Sequence, residues 1–190
     1  MSPLDTLVAE IRGCRVCPLP HEPRPIVWVH PDARILIAGQ APGRRVHESG
    51  VPWDDPSGDR LRQWLGLGRE AFYTRENIAV AAMGFCYPGT GKSGDLPPRP
   101  ECAQHWRQPL LDFLPNIALM LVIGQYAHAW HLGKRQKGSL TDTVKNWKDY
   151  WPDILALPHP SPRNNMWLRR NPWFEEEILP VLKDRVAQLS

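Results

Sequence analysis

The feature that most constrains the fold is a series of four short apolar runs that alternate with helix-like segments. The runs cover residues 34–39, 77–85, 117–124 and 153–159. Each run is nearly continuous in apolar residues, which is typical of parallel strands that are covered by helices on both faces. The pattern therefore predicts an α/β fold, a three-layer α/β/α sandwich around a four-stranded parallel sheet.

Helical segments are predicted at both ends of the chain. LDTLVAEIRG lies near the start, and PWFEEEILPVLKDRVAQL closes the chain with acidic residues in its first turn, where the helix dipole favours them. The 190 residues, of which 42% are hydrophobic, suffice for one domain with a sizeable core and are too few for two. We expect one domain over residues 1–190.

Charge and hydropathy limit the cellular compartment and the partners that we expect for this protein. No apolar run approaches the roughly 18 residues of a membrane-spanning helix, and the N-terminal segment lacks the basic-then-apolar order of a signal peptide. We expect a soluble, cytoplasmic, monomeric protein with no membrane partner. The formal net charge of +3 permits a nucleic-acid partner without requiring one.

Three long loops rich in glycine and proline follow the first, second and fourth apolar runs. Their sequences are GQAPGRRVHESGVPWDDPSG, GFCYPGTGKSGDLPPRP and HPSPRNN. Ligands of open α/β sheets bind at the carboxyl ends of the strands, where such loops lie. We therefore expect the functional site to be built from these three loops.

Four cysteines form a separate pattern, in which Cys14 and Cys17 make a CxxC pair and Cys86 and Cys102 follow far along the chain. Without an export signal, structural disulfides are not expected, and the pattern predicts a site with four thiolate ligands. A zinc ribbon usually repeats the CxxC unit, whereas here the second pair is split, which favours a [4Fe–4S] cluster. A zinc site and unrelated buried thiols remain open.

The order of these motifs resembles the iron–sulfur uracil-DNA glycosylases of family four. The resemblance covers residues 5–185: a helix, CRVCPL, a strand, GQAPG, GVPW, a strand that leads to a cysteine, and a last strand that runs into HPSP. HPSPRN also resembles the corresponding motif of the single-strand-selective monofunctional uracil-DNA glycosylases. The resemblance implies the uracil-DNA glycosylase fold and action on a deaminated base in DNA.

Roles for two ring-bearing residues follow from this resemblance. His159, at the end of the fourth run, would donate a hydrogen bond to a carbonyl oxygen of the departing base. Trp53 in GVPW takes the place of an aromatic residue that stacks on the base turned out of the duplex. A histidine that only bonds the loop backbone, and a tryptophan that only closes the core, are the alternative interpretations.

The residue that activates the attacking water is harder to assign. The related families carry a glutamate, an aspartate or an asparagine where this chain has Gln40 and Ala41, and neither of these side chains can take a proton from water. Asp54 and Asp55 are the candidates that we predict as catalytic carboxylates. His47 and Glu48 are further candidates in the same loop.

Base recognition also departs from the family pattern. The asparagine that binds the uracil edge in the related families is absent from the second run, where Ala82, Met83 and Gly84 occupy the aligned positions. Uracil should therefore be distinguished less strictly from other bases, and the purines hypoxanthine and xanthine become conceivable substrates. The predicted base-binding residues are Gln40, Ala41, Trp53 and Gly84.

The last loop supplies the predicted contacts with DNA. Two prolines stiffen the turn, so Arg163 is expected to project into the gap that the base leaves in the duplex. A phosphate contact is the alternative for this arginine. The predicted DNA-binding residues are Ser161, Arg163 and Asn164.

The motifs together predict a monofunctional DNA glycosylase, because no residue in them marks an amine nucleophile that would cleave the strand. Its substrate would be DNA with a deaminated base, uracil first. A catalytically weak protein of the same fold that binds damaged DNA is the main alternative, and an iron–sulfur redox module is a third. Release of a base from a damaged oligonucleotide would distinguish the enzyme from the two others.

Overall fold

The computed structural model describes residues 2–190. Its main sheet has four parallel strands in the order β2-β1-β5-β6. A small antiparallel pair, β3 with β4, lies outside this sheet. The strands are β1 (Ile35–Ala38), β2 (Ile78–Val80), β3 (Thr90–Gly91), β4 (Gly94–Asp95), β5 (Leu119–Ile123) and β6 (Ile154–Leu157).

Nine α-helices surround the sheet in the described residues. They are α1 (Pro3–Gly13), α2 (Arg44–Ser49), α3 (Pro56–Leu65), α4 (Arg69–Phe72), α5 (Pro100–Leu111), α6 (Gln125–Leu132), α7 (Leu140–Lys145), α8 (Asn165–Arg170) and α9 (Leu179–Leu189). Short 3₁₀ turns lie at Gly133–Arg135, Trp147–Asp149 and Pro162–Asn164, and a π-helical turn covers Phe174–Ile178 before α9.

Successive residues of β1 point to opposite faces of the sheet and enter different cores. Ile35 and Ile37 pack with Leu61 of α3 and Val186 of α9, whereas Leu36 packs with residues of α1 and α5. All residues of β1 are fully buried, as expected for a strand with helices on both sides. The predicted three-layer α/β/α sandwich is confirmed.

The second strand is shorter than the predicted run over 77–85. It ends at Val80 because the carbonyl oxygens of Ala81 and Ala82 accept hydrogen bonds from the buried side chain of Arg107. Beyond this point the chain runs alongside the loop after β1, where the N–H of Met83 donates to the carbonyl of Gly39 over 2.9 Å. The loops after β1 and β2 are therefore held side by side.

Both chain-end helices are present, with one irregularity in the last. The predicted helix over 172–189 begins as the π-helical turn and becomes α-helical at Leu179. Pro180 lacks the N–H of a regular helical bond, which accounts for the change of register. Among residues 2–190, no helix is both long enough and apolar enough to cross a lipid bilayer.

Candidate active site

A cleft of about 450 Å³ lies at the carboxyl ends of β1, β2 and β6. Its volume is within the usual range of small-molecule sites in proteins. The three long loops named above all contribute to it, as the sequence predicted. Residues that line it include Gln40, Ala41, Trp53, Asp55, Ala82, Asp95, His159, Ser161, Arg163 and Asn164.

His159 follows β6 directly and presents its ring to this cleft. The backbone N–H of Ser161 donates to Nδ1 of His159 over 3.2 Å, so the neutral ring carries its proton on Nε2. The side-chain amide of Asn164 donates to the carbonyl oxygen of His159 over 2.7 Å and holds the loop. Burial lowers the pKa of His159, and the charges of Asp55 and Asp95 oppose that shift in part.

Trp53 forms the wall beside His159. The two ring centroids lie 5.7 Å apart, with 32° between the ring planes. The indole also lies against Gly39, where an added Cβ would stand 3.0 Å from Cζ2 of the tryptophan. A side chain at residue 39 would displace the indole, so this glycine permits the close approach.

The backbone of Trp53 adopts the left-handed conformation, with a φ of 58°. Nη1 of Arg62 donates to its carbonyl oxygen over 3.1 Å, and the hydroxyl of Tyr73 donates to the carbonyl of Pro52 over 2.8 Å. An added Cβ on Gly58 would stand 1.7 Å from the carbonyl oxygen of Trp53. These residues hold the strained turn, and no motif in the sequence indicated their role.

The two predicted carboxylates differ in their surroundings. Asp55 lines the cleft and caps α3, because its Oδ1 accepts from the N–H of Gly58 over 2.8 Å. Asp54 does not line the cleft, and its Oδ1 accepts from Nη2 of Arg69 over 2.8 Å. The structure therefore keeps Asp55 as a candidate and places Asp54 in a surface ion pair.

Asp95, which sequence analysis missed, also lines the cleft. It closes the β3–β4 hairpin, and its Oδ2 lies 3.5 Å from the point where a Cβ on Gly43 would stand. The loop GFCYPGTGKSGDLPPRP was predicted to border the site, but the sequence did not indicate which of its residues would face the cleft. Asp95 and Asp55 are the acidic residues of the cleft in the described part of the chain.

The predicted base-binding residues fall on two sides of the loop after β2. Gln40 and Ala41 line the cleft, together with Ala82. Gly84 faces away, toward the cavity near the cysteines, and donates its N–H to the carbonyl of Gln40 over 2.9 Å. Of the predicted base-binding residues, Gly84 therefore does not line the cleft, whereas Ala82 of the same stretch does.

The predicted DNA-binding residues lie together at the mouth of the cleft. Nη1 of Arg163 donates to the carbonyl oxygen of Ser93 in the β3–β4 hairpin over 3.0 Å. Ser161 accepts the N–H of Arg163 with its hydroxyl, and its carbonyl accepts from Arg60 over 3.1 Å. The guanidinium of Arg163 thus joins two loops across the cleft, and its projection into the gap of a duplex stays a prediction.

A buried arginine supports the floor of the site. Arg107 is 1% exposed and donates to the carbonyls of Ala81 and Ala82, while its Nη2 lies 2.9 Å from Nε2 of His131. Burial lowers the pKa of Arg107 to about 10. The pKa of His131 is lowered to about 3, mainly by burial and also by the positive charge of Arg107. The imidazole is therefore neutral.

The four cysteines line a second, smaller cavity of about 20 Å³. All four are half-buried and free of disulfides. The cavity also has apolar walls, and no carboxylate or imidazole lines it in the described chain. Within residues 2–190, no set of three or more Cys, His, Asp or Glu side chains is arranged to hold a metal ion.

Burial has a large effect on two of these thiols. It raises the pKa of Cys86 to about 11 and that of Cys102 to about 12. The N–H of Phe85 donates to Sγ of Cys102 over 3.3 Å. Four thiols from three chain segments, with apolar walls, are of the donor type that suits a soft metal centre, although their positions in this structure do not form a metal-binding set.

Comparison with known proteins agrees with this architecture. One similar solved structure is the solution NMR structure of a candidate uracil DNA glycosylase from Methanosarcina acetivorans, with a TM-score of 0.52 and 15% sequence identity. The match covers 85% of this chain and 97% of that chain. At this identity the likeness shows the fold. The family model of the uracil DNA glycosylase superfamily matches residues 27–183, a range that includes Cys86 and Cys102 but not Cys14 and Cys17. The chain belongs to the uracil DNA glycosylase superfamily.

Proposed function

We propose that this protein is a monofunctional DNA glycosylase that hydrolyses the N-glycosidic bond of a deaminated base in DNA, uracil first. One observation carries the proposal: within the described residues, the protonated Nε2 of His159 has no protein acceptor, and it lies beside the indole of Trp53 in a cleft of suitable size. A base that stacks on this indole can place a carbonyl oxygen near that N–H.

The departing base is the part of the reaction that His159 would assist. When the C1′–N bond breaks, the base leaves with the bonding electrons, and negative charge collects on its carbonyl oxygens. A neutral imidazole that is already oriented can stabilise this charge through one hydrogen bond. The bond from the Ser161 N–H to Nδ1 supplies that orientation.

The substrate must be turned out of the duplex to reach the cleft. Trp53 would replace the stacking partner that the base loses, a contribution of about 1–3 kcal/mol for a base on an aromatic ring. Ala82 has no polar side chain with which to distinguish uracil from a larger base. Hypoxanthine and xanthine are therefore included as proposed substrates beside uracil.

Strand cleavage would require an amine that attacks C1′, and no lysine lines the cleft in the described residues. This supports hydrolysis without cleavage of the strand. Arg163, Ser161 and Asn164 at the mouth of the cleft would contact the DNA. The arginine adds positive charge there, which favours the phosphate backbone.

The cysteine cavity belongs to the same proposal. Cys14, Cys17, Cys86 and Cys102 would hold a [4Fe–4S] cluster, and a zinc ion is the alternative. When bound, the cluster would cross-link the N-terminal segment to the region after β2 and could exchange an electron. Support comes from the four free thiols on one apolar cavity without oxygen ligands.

A second function is favoured by the loop after β1. Gln40 and Ala41 cannot remove a proton from water, so a protein that binds damaged DNA and turns over slowly, or not at all, is the alternative. One assay separates the two functions. Oligonucleotides with a single uracil, hypoxanthine or xanthine are incubated with the protein and treated with alkali, which cleaves the strand wherever a base was lost.

Release of any of the three bases supports the enzyme, and an intact strand before alkali supports the monofunctional reaction. Tight binding of the damaged oligonucleotide without release supports the binding protein. Absence of both release and binding would contradict the proposed function. The control is the same oligonucleotide with a normal base at the same position.

A further inference from the structure

Hydrolysis of the glycosidic bond needs a group that orients the attacking water and accepts its proton. The loop after β1 lines the cleft with Gln40, whose amide can orient a water but cannot accept its proton, and with Ala41, which can do neither. His159 cannot serve either, because its Nδ1 already accepts the N–H of Ser161 and its Nε2 carries the proton. The required group must therefore come from another part of the cleft.

Asp55 and Asp95 are the carboxylates that line the cleft in residues 2–190. Only Asp55 has a structural hydrogen bond within this range. Oδ1 of Asp55 caps α3 by accepting from the N–H of Gly58 over 2.8 Å. The carboxylate of Asp95 has no hydrogen-bond partner in the described chain, and its Oδ2 lies beside Gly43. Asp95 is therefore free to bind water.

The hairpin that carries Asp95 is fixed from two sides. Asp95 pairs with Thr90, and Arg44 of α2 donates to the Thr90 hydroxyl over 3.4 Å. Arg163 in the loop after β6 donates to the carbonyl of Ser93 over 3.0 Å. These contacts hold the backbone of the hairpin at the edge of the cleft, while the side chain of Asp95 itself is exposed and open to water.

Asp95 and His159 line the same cleft. Both Asp55 and Asp95 lie close enough to His159 for their negative charges to oppose the effect of burial on its pKa. A carboxylate in this cleft would also stabilise positive charge that develops on the sugar as the C1′–N bond lengthens. The negative charge on the departing base would then face the N–H of His159, and the positive charge on the sugar would face the carboxylate of Asp95.

We propose that Asp95 is the catalytic carboxylate of this site, an inference that rests on the proposed glycosylase function. Its oxygen holds a water molecule whose oxygen forms the new bond to C1′ as the C1′–N bond breaks. The proton of that water passes to Asp95 and then to solvent. The base leaves with the bonding electrons, is stabilised by the Nε2–H of His159, and takes a proton from solvent.

The test measures single-turnover release of uracil from a single-stranded oligonucleotide with one uracil, alongside the affinity for the same oligonucleotide. Asp95→Asn should lower the rate by roughly 10²–10³, within the range for loss of a general base, and should change the affinity less than about threefold. Asp184→Asn, an exposed residue on α9, makes the same charge change away from the cleft and should keep the rate.

Asp55→Asn identifies the rival carboxylate, because asparagine caps a helix as well as aspartate does and the fold should be preserved. The inference is overturned if Asp95→Asn stays within threefold of the unmodified protein, if Asp55→Asn alone loses the rate, or if Asp95→Asn loses affinity and rate in parallel. If the unmodified protein releases none of the three deaminated bases, the proposed function fails instead.

Discussion

The backbone N–H of Ser161 donates a hydrogen bond to Nδ1 of His159 over 3.2 Å, and this bond decides which ring nitrogen carries the proton. With Nδ1 occupied as an acceptor, the proton of the neutral ring lies on Nε2, where a ligand can accept it. The histidine can therefore act as a hydrogen-bond donor without being charged. Its contribution should appear in the chemical step rather than in binding.

Replacement of His159 by alanine should lower the single-turnover rate of base release by roughly 10²–10³, the scale for loss of one oriented donor to a developing anion. The affinity for damaged DNA should change little, because the charge on the base appears only as it departs. Rate and affinity are measured on the same uracil oligonucleotide. Full activity of the alanine variant would remove the catalytic role of this residue.

The rate should be nearly constant between about pH 7 and 8. An unperturbed histidine has a pKa near 6.5, and burial lowers the pKa of His159 from that value, so the ring is already mostly neutral at pH 7. A further rise in pH therefore removes no functional proton. A steady fall of the rate across this interval would mean that a protonated histidine is required.

Arg163→Ala should reduce activity on duplex DNA more than on single strands, because only a duplex must be opened and its gap filled. Comparison of the two substrates at equal ionic strength measures the difference. Because Arg163 also bonds Ser93, equal losses on both substrates would instead assign this arginine to holding the hairpin. The variant Arg163→Lys keeps the charge and serves as the control.

Gly58→Ala should destabilise the protein by about 2 kcal/mol or more, although alanine is the better helix former at an ordinary position. The added Cβ would stand 1.7 Å from the carbonyl oxygen of Trp53, so the turn would have to move. The midpoint of denaturant unfolding measures the loss. Gly13→Ala, with nothing within 4 Å of its added Cβ, should show no such loss.

Protein purified without oxygen should be brown, with broad absorption near roughly 400 nm and about four iron atoms per chain, as thiolate-bound [4Fe–4S] clusters show. Cys17→Ala should lose the colour and part of the stability, because a metal centre contributes to folding. Metal analysis of the same sample decides between the two proposed centres. One zinc per chain in a colourless protein would contradict the cluster.

The sheet could be predicted because its strands are buried on both faces and therefore appear as continuous apolar runs. The same apolar signal overestimated the length of the second strand. Residues after Val80 remain apolar, but the carbonyls of Ala81 and Ala82 bond to Arg107 rather than to a strand. An arginine in an amphipathic helix is normally exposed, so its burial could not be predicted from composition or periodicity.

Within the site, motifs that directly follow strands could be placed, since the carboxyl ends of parallel strands meet at one edge. His159 was placed in this way, whereas Trp53, which follows α2, was found through the family resemblance, and both line the cleft. Asp95 was missed because it belongs to a hairpin whose direction depends on tertiary contacts from Arg44 and Arg163. Local sequence predicts that a turn exists, but not which wall of a cleft it reaches.

The left-handed backbone conformation of Trp53 affects which residues selection will retain at this position. A bulky residue in that conformation costs about 1–3 kcal/mol, and glycine or asparagine would adopt it more readily. Selection for robustness alone would favour replacement of the indole, whereas selection for capture of a base would preserve it. A library of variants that is screened only for heat resistance should therefore accumulate substitutions at residue 53. A library that is screened for base release should lose the same substitutions.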